Sequence, residues 1–525
     1  MTDSLPATQP RSAPAEASSR PLVVVVALLA LSTIALIIIG NGNPLFAVVP
    51  LGGFLFLLML VKMPLRWPAL AMVFCGITLE NPGDVPAEGR WKSPLYPLGA
   101  LLMAQLKQTI PIGALVITGV DVLLILLTAL LIHRRVVGSK IDAVGWFPTP
   151  RPMVLAAWVC LSGAIFIWGF GLATGGSFRF SLWQVQRMIY LPLVFLFLQA
   201  AIPGAGLNQT AGRMLLTSAA IKAAMAIYVV HILPDVSYAT THTDSMLFAA
   251  AMCVLVLLMF EKPSRSSLLR FVFLVPLLVT GMIANNRRLV WVELSLGLVF
   301  VMALSRLTPI KRSILRVILF ILPIMPIYLG AGWNHATGVF APVRTIRSVV
   351  DSKSDGSTQW RDLENYNLFW TIKGHPVLGT GLGHPYDTPI VLPDVSSVYE
   401  LEPYCPHNSV LGLWAYTGYF GFSAIWSIMG VAVYFTGRVI RAATDPDDRV
   451  AALGCMAVFV IYMFHCYGDL GLGTWMSVFL VSFAMVMVAK MCTRLGVWPG
   501  GTPAPVAQRA TTRAIRPEAS RFSGG

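Results

Sequence analysis

The sequence predicts an all-α polytopic membrane protein, and three observations carry that prediction. Of 525 residues, 56% are apolar and only 12% charged, about half the charge of an ordinary soluble domain. The mean hydropathy of +0.72 exceeds what a water-soluble core conceals, so lipid must cover part of the surface. The apolar residues are also gathered into fourteen runs, most of them close to the roughly 20 residues a spanning helix needs.

Residues 1–20 are rich in Ala, Ser and Pro and read as a disordered cytoplasmic tail. Residues 491–525 read as a second, basic one. Between them, 21–490 is expected to form one transmembrane catalytic domain. Its apolar runs lie near 21–39, 44–62, 66–79, 111–133, 153–171, 183–201, 211–233, 244–260, 267–284, 289–305, 314–332, 407–435, 450–468 and 473–490. The first is too long for a signal-peptide core and has no convincing cleavage site, so it reads as an uncleaved helix. The run at 66–79 is short enough to be re-entrant and 183–201 begins polar. Twelve to fourteen spans are therefore expected.

Charge placement orients the chain. With the N-terminus in the cytoplasm and all runs crossing, 25 Lys and Arg fall in cytoplasmic segments, 12 on the opposite side and Lys222 in mid-run. That is the positive-inside bias, and it holds although the outer side carries two long loops, 80–110 and 333–406. The net charge of +14 thus belongs to short loops against anionic lipid. It forms no continuous patch for nucleic acid. Six of the seven cysteines lie in or beside apolar runs and only Cys405 lies in a long polar loop. Neither a disulfide framework nor a zinc spacing is present.

The few cations outside are the informative ones. Arg187 opens one run, Arg287 and Arg288 open another after Asn285 and Asn286, and Arg361 lies in the 333–406 loop. In that loop, residues 360–373 (WRDLENYNLFWTIK) place Leu363, Tyr366, Phe369 and Trp370 at helical spacing, which predicts an amphipathic helix. A turn follows with Gly379, Gly381 and Gly383, expected to lie against the membrane surface. His407 and Asn408 then cap a new apolar helix.

Arg361, His375-Pro376, the glycines 379, 381 and 383, His407-Asn408, Gly418 and Gly421 together resemble the signature of the O-antigen ligase and polymerase superfamily. The Arg287-Arg288 pair resembles its second hallmark, although Asn-Arg-Arg-Leu stands where the family usually has Ser-Arg and small residues. Arg187 resembles a third family arginine. The likeness is specific over roughly 280–435 and architectural elsewhere. It implies a multi-pass enzyme of the bacterial inner membrane, working at the periplasmic face, with a fold like that of metal-independent lipid-linked-sugar glycosyltransferases. The donor would be an undecaprenyl-diphosphate-linked glycan and the acceptor a sugar on lipid A–core or on a growing polysaccharide.

The residues suit that chemistry. A departing diphosphate gathers negative charge, which guanidinium groups chelate bidentately. An acceptor hydroxyl needs a base poised near neutral pH, for which His407 is the candidate. Attack opposite the diphosphate inverts the anomeric centre. No Asp-x-Asp motif occurs in the outer segments, so no metal clamp and no cofactor are expected. The candidate catalytic residues are His407, Arg288 and Arg287, without a choice between the two arginines. Arg187, Arg361, Asn408, His465 and Asp469 are candidates for substrate binding.

Each has a plainer reading. His407-Asn408-Ser409 could simply start a helix, and Arg287 and Arg288 could anchor in the interface. Arg361 could pair with Asp362 or Glu364. Lys222 is expected to face the bundle interior, with Asp121 or Glu293 as partner. His231, His242, His335 and His384 read as ordinary surface residues. A transporter or flippase for lipid-linked sugars is the rival class, kept open by Lys222, Asp121 and Glu293, although no internal repeat supports it.

Overall fold

The computed structural model describes residues 20–39, 45–79, 95–106, 117–138, 147–204, 206–231, 241–335, 338–340, 343, 346–347, 356–392, 401 and 403–498. The expected tails, up to residue 19 and from residue 499, lie outside the described residues, as does part of the 333–406 loop. The chain divides into two compact units. In the smaller, α1 (Arg20–Ile39) packs against α2 (Leu45–Lys62).

The larger unit holds α3 (Arg66–Thr78), α4 (Tyr96–Met103), α5 (Gly119–Val136), α6 (Arg151–Ala173), α7 (Phe178–Ala201), α8 (Leu207–His231) and α9 (Asp244–Glu261). It continues with α10 (Arg265–Asn285), α11 (Leu289–Leu304), α12 (Pro309–Ile321) and α13 (Ile324–Gly332). The last four are α14 (Gly356–Gly374), α15 (Ser409–Ala442), α16 (Pro446–Gly468) and α17 (Trp475–Arg494). Among the described residues the only β pairing is an isolated bridge between Gln105 and Thr118. The protein is an all-α polytopic membrane protein, and among the described residues each of the fourteen apolar runs is largely helical.

Eight of these helices are long and apolar enough to span a bilayer, nine when α12 and α13 count as one span bent by 50°. The bend falls at Pro323, which cannot continue the hydrogen-bond ladder. The remaining runs fall short for separate reasons. The apolar stretches 24–38, 48–62 and 289–304 are shorter, α3 has 13 residues, and α5 carries Asp121, His133, Arg134 and Arg135. Two further boundaries shift. Helix α7 starts at Phe178, so Arg187 sits in its third turn and does not open it. Helix α17 runs to Arg494, four residues past the expected boundary, because Thr493 Oγ1 bonds the Pro148 carbonyl at 2.8 Å and Arg494 reaches Asp448.

Helix α17 is buried throughout its apolar window and α9 nearly so, the pattern of helices hydrophobic all round. Around them α6, α10 and α12 turn Leu155, Phe166, Phe273 and Phe320 outward, as lipid-facing helices do. Lys222 on α8 pairs with neither expected partner. Its ammonium lies 3.0 Å from Asp244 at the start of α9, both fully buried, while Asp121 closes a capping box with Thr118 and Glu293 meets His465.

Side-chain contacts bring the end of α9, the end of α11 and the start of α16, with their basic residues, together at one end of this unit. There the Arg449 guanidinium donates to both Glu261 carboxylate oxygens at 2.8 and 3.2 Å, and Glu261 also accepts the Arg306 backbone N–H at 2.8 Å. Truncating one member leaves a buried charge unpaired, which typically costs about 3–5 kcal/mol. Arg449→Ala is therefore expected to lower the melting temperature in detergent markedly, and Arg449→Lys by less. Equal melting temperatures for all three proteins would show that the pair carries no net stability.

Candidate functional site

At the opposite end of the larger unit the polar groups converge on α14 and the start of α15. Helix α14 is amphipathic as expected, but with its sides exchanged. Tyr366, Phe369 and Trp370 are exposed, whereas Glu364, Asn367 and Thr371 are buried with Leu368. Each buried polar group is satisfied by a specific segment, as burial requires. Asn367 exchanges two hydrogen bonds with the backbone of Ile390, and Thr371 Oγ1 accepts the Asp387 N–H. Glu364 accepts the His407 backbone N–H with both carboxylate oxygens at 3.2 Å and faces His407 Nδ1 at 3.4 Å.

This carboxylate holds the His407 imidazole by its Nδ1 side. The Trp360 ring stands edge-on to it, with centroids 5.1 Å apart. A proton on Nδ1 directed at a carboxylate leaves a basic lone pair on Nε2. His407 keeps 28% of its side chain exposed while Glu364 is sealed beneath it, so the imidazole is the accessible member of the pair. The indole N–H of Trp360 has no hydrogen-bond partner among the described residues. Asn408 is the true N-cap: its side-chain oxygen accepts the Leu411 N–H at 3.0 Å and its amide donates to Asn365. With its oxygen and amide nitrogen both engaged and the residue buried, Asn408 serves the helix start.

The glycine turn is held by protein contacts. Gly379, Gly381 and Gly383 all have positive φ, as does Gly418, where α15 breaks. A Cβ on Gly379 would lie 2.3 Å from the Tyr416 carbonyl carbon, and one on Gly418 as close to that of Val377. Only glycine permits this contact. The backbone freed by the break is paired with the turn, Gly381 N–H donating to Tyr416 and Tyr419 N–H to Pro376, both at 2.9 Å. Irregular backbone at membrane depth requires such internal pairing. Gln184 on α7 ties the turn to the next segment, its side-chain oxygen accepting the Gly383 N–H and its amide donating to Tyr404 at 2.7 Å. His384, read as a surface residue, bonds Thr174 at 3.0 Å.

Arg187 lies one turn beyond Gln184. It is buried with its guanidinium over the Trp183 and Trp475 rings, 5.6 and 5.2 Å from their centroids. Burial pushes the nearby Cys405 thiol up to about 12, against the pull of this guanidinium.

The turn between α16 and α17 collects the remaining candidates. Arg361 donates to the Gly468 carbonyl at 3.1 Å and lies 3.7 Å from Asp469, so neither Asp362 nor Glu364 is its partner. Asp469 also meets His242 Nδ1 at 2.5 Å, and its backbone carbonyl accepts the Ser409 hydroxyl. Burial alone would raise the Asp469 carboxyl. The His242 imidazole, then Arg361 and His465, overcome it and hold the group well below the usual carboxylate range. Asp469 is thus a buried anion neutralised by the protein, and His242 is its partner. His465, expected beside Asp469 as a substrate-binding candidate, is wholly enclosed and bonded to Glu293 at 2.5 Å.

Arg287 and Arg288 lie where α10 passes into α11. Asn286 takes the left-handed conformation (φ 52°), which turns the chain, and Arg288 occupies the N-cap position. The next residue, Leu289, packs on Gly468, whose added Cβ would lie 2.9 Å from its Cδ1. Both arginines are half-buried and stand one and two residues before Leu289, which packs on the turn that Arg361 grips. Among the described residues no three His, Cys, Asp or Glu side chains converge as metal ligands.

Residues 273–426 match a family model described as O-antigen ligase, which bears out the resemblance over α10–α14 and the first half of α15. No curated protein matches the chain. Sequence reasoning offers Glu364 only as a partner for Arg361, reads His242 as a surface residue and passes over Gln184. Glu364 lies among other polar residues of one helix, and only the fold brings it under a residue 43 positions away.

The depressed Asp469 carboxyl has a measurable consequence. Its charge contributes stability that is fully present above the ordinary carboxylate pKa of about 4 and is lost as pH falls below it. The melting-temperature gap between wild type and Asp469→Asn is expected to be widest near neutral pH and to shrink on acidification below about pH 4. A gap constant across that range would mean that the ionised carboxylate does not stabilise the turn.

Proposed function

We propose that this chain, whose residues 273–426 are of the O-antigen ligase family, transfers a glycan from a polyprenyl diphosphate, undecaprenyl diphosphate in bacteria, to an acceptor sugar. The observation that carries the reading is the Glu364–His407 pair: a buried carboxylate beneath a partly exposed imidazole, on the motif that the family match covers. The acceptor hydroxyl gives its proton to His407 Nε2 as its oxygen attacks the anomeric carbon. The bond from that carbon to the diphosphate oxygen breaks with its electron pair leaving on the diphosphate. A single displacement of this kind inverts the anomeric centre and asks for no metal.

The leaving diphosphate needs fixed positive charge. Arg287 and Arg288, half-buried beside the Gly468 turn, are the leading candidates, and Arg187 lies across the site on its tryptophans. Arg361 is committed in part to Asp469 and serves more to fix the turn. Trp360 offers an indole N–H beside the reacting imidazole. With the loop end outside, as the positive-inside bias orients it, the reaction lies at the periplasmic face of the inner membrane. Lipid A–core or a growing polysaccharide would be the acceptor. The transporter alternative draws little support from Lys222, which Asp244 neutralises at a helix end.

The test is transfer from a polyprenyl-diphosphate glycan by the reconstituted protein. His407→Ala is expected to lose about a hundred-fold or more, the usual worth of a general base, while still inserting and folding. Glu364→Gln, which keeps an acceptor for the backbone N–H but not the charge, should lose less. Retained product in His407→Ala would sink the assignment. In a deletion strain, accumulated lipid-linked polymer marks a ligase and single-repeat product a polymerase.

A further inference from the structure

The end of the larger unit opposite His407 contains a cavity of about 330 Å³ that glycan transfer does not use. It opens between the starts of α8, α10 and α16 and the end of α9, where Asn208, Lys262, Ser264, Arg270 and Asp447 form its mouth. From there it runs inward between apolar walls, past Leu258 and Val254 on α9, Val458 on α16 and Phe483 on α17. These wall residues keep 4–8% of their surface accessible in an otherwise sealed core. From Asp447 to Val458 the axial rise is about 16 Å at 1.5 Å per residue, the length of a dozen or so methylenes.

The mouth is asymmetric in charge. Lys262 is paired with Asp447 at 2.6 Å. Arg213, which also lines the cavity, and Arg270 are exposed and have neither ion pair nor hydrogen bond among the described residues. Two uncommitted guanidinium groups therefore stand at the rim of an apolar shaft that Ser264 and Ser266 also line. An uncharged apolar ligand would leave the arginines without function, and a soluble anion would leave the shaft without contents. An amphiphile with an anionic phosphate head and a hydrocarbon tail satisfies both.

We propose that this cavity binds an anionic glycerophospholipid, its phosphate on Arg213 and Arg270 and one acyl chain in the shaft. By the positive-inside bias this end faces the cytoplasm, where the leaflet surface is anionic and draws such basic residues. The site is independent of the transfer reaction at the other end.

The experiment uses the full-length protein in neutral detergent, with lipid retention read by native mass spectrometry and melting temperature in parallel. The probes are phosphatidylglycerol, phosphatidylcholine and inorganic phosphate. Phosphatidylglycerol is expected to bind and raise the melting temperature. Reversing both exposed charges (Arg213→Glu with Arg270→Glu) should cut its apparent affinity at least about ten-fold, and filling the shaft with Ala484→Trp should do the same without touching the rim. The double reversal changes only exposed residues, so the test survives if the Trp variant fails to fold. Unchanged phosphatidylglycerol retention in the charge-reversed protein overturns the proposal. So does equal binding of phosphatidylcholine, or equal stabilisation by inorganic phosphate alone.

Discussion

A carboxylate enclosed by protein must find positive charge or hydrogen-bond donors, because isolated in a low-dielectric interior its ionised form is prohibitively costly. Glu364 is such a group, and most of the outer architecture follows from satisfying it. Its donors are the His407 backbone and the Nδ1 face of the same residue, so α14 must lie against the start of α15. That contact turns the polar side of α14 inward and leaves its aromatic side outside. Asn367 and Thr371, on the same side, then fix the chain at Ile390 and Asp387. One buried anion thus orders a loop that hydrophobic burial alone would have packed the other way round.

The same logic recurs one layer deeper. Asp469 is paired with His242 and Arg361, Asp244 with Lys222, and Glu293 with His465. These pairs tie α8, α9, α11, α14 and α16, with the turns before α9 and after α16, together at a single end. In a bundle whose helices have no hydrophobic reason to prefer one another over lipid, polar contacts of this kind contribute much of the specificity.

The glycines act by a different means. Gly379 and Gly418 bring two backbones within a distance that any Cβ would forbid. The break in α15 is tolerated because the turn supplies the missing hydrogen bonds. This places the histidine-bearing start of α15 and the glycine turn in one rigid piece, tied to α7 through Gln184. The opposite end relies on the Arg449–Glu261 pair and on the contacts of Asp448 and Asp447 with Arg494 and Lys262.

Hydropathy and charge were sufficient by themselves to determine the class, the helix positions and the orientation bias. Each rests on local composition read against one external constraint, the bilayer. The loop motif was legible for a similar reason: glycines with positive φ and a capping Asn declare themselves within a few residues. What only the tertiary structure decided was partnership. Nothing local distinguishes Glu364 from Asp362, joins Arg361 to Asp469, or assigns Lys222 to Asp244 rather than to Glu293. Those choices are made by which helices pack together, and a buried charge is matched by whatever the packing brings within about 3 Å.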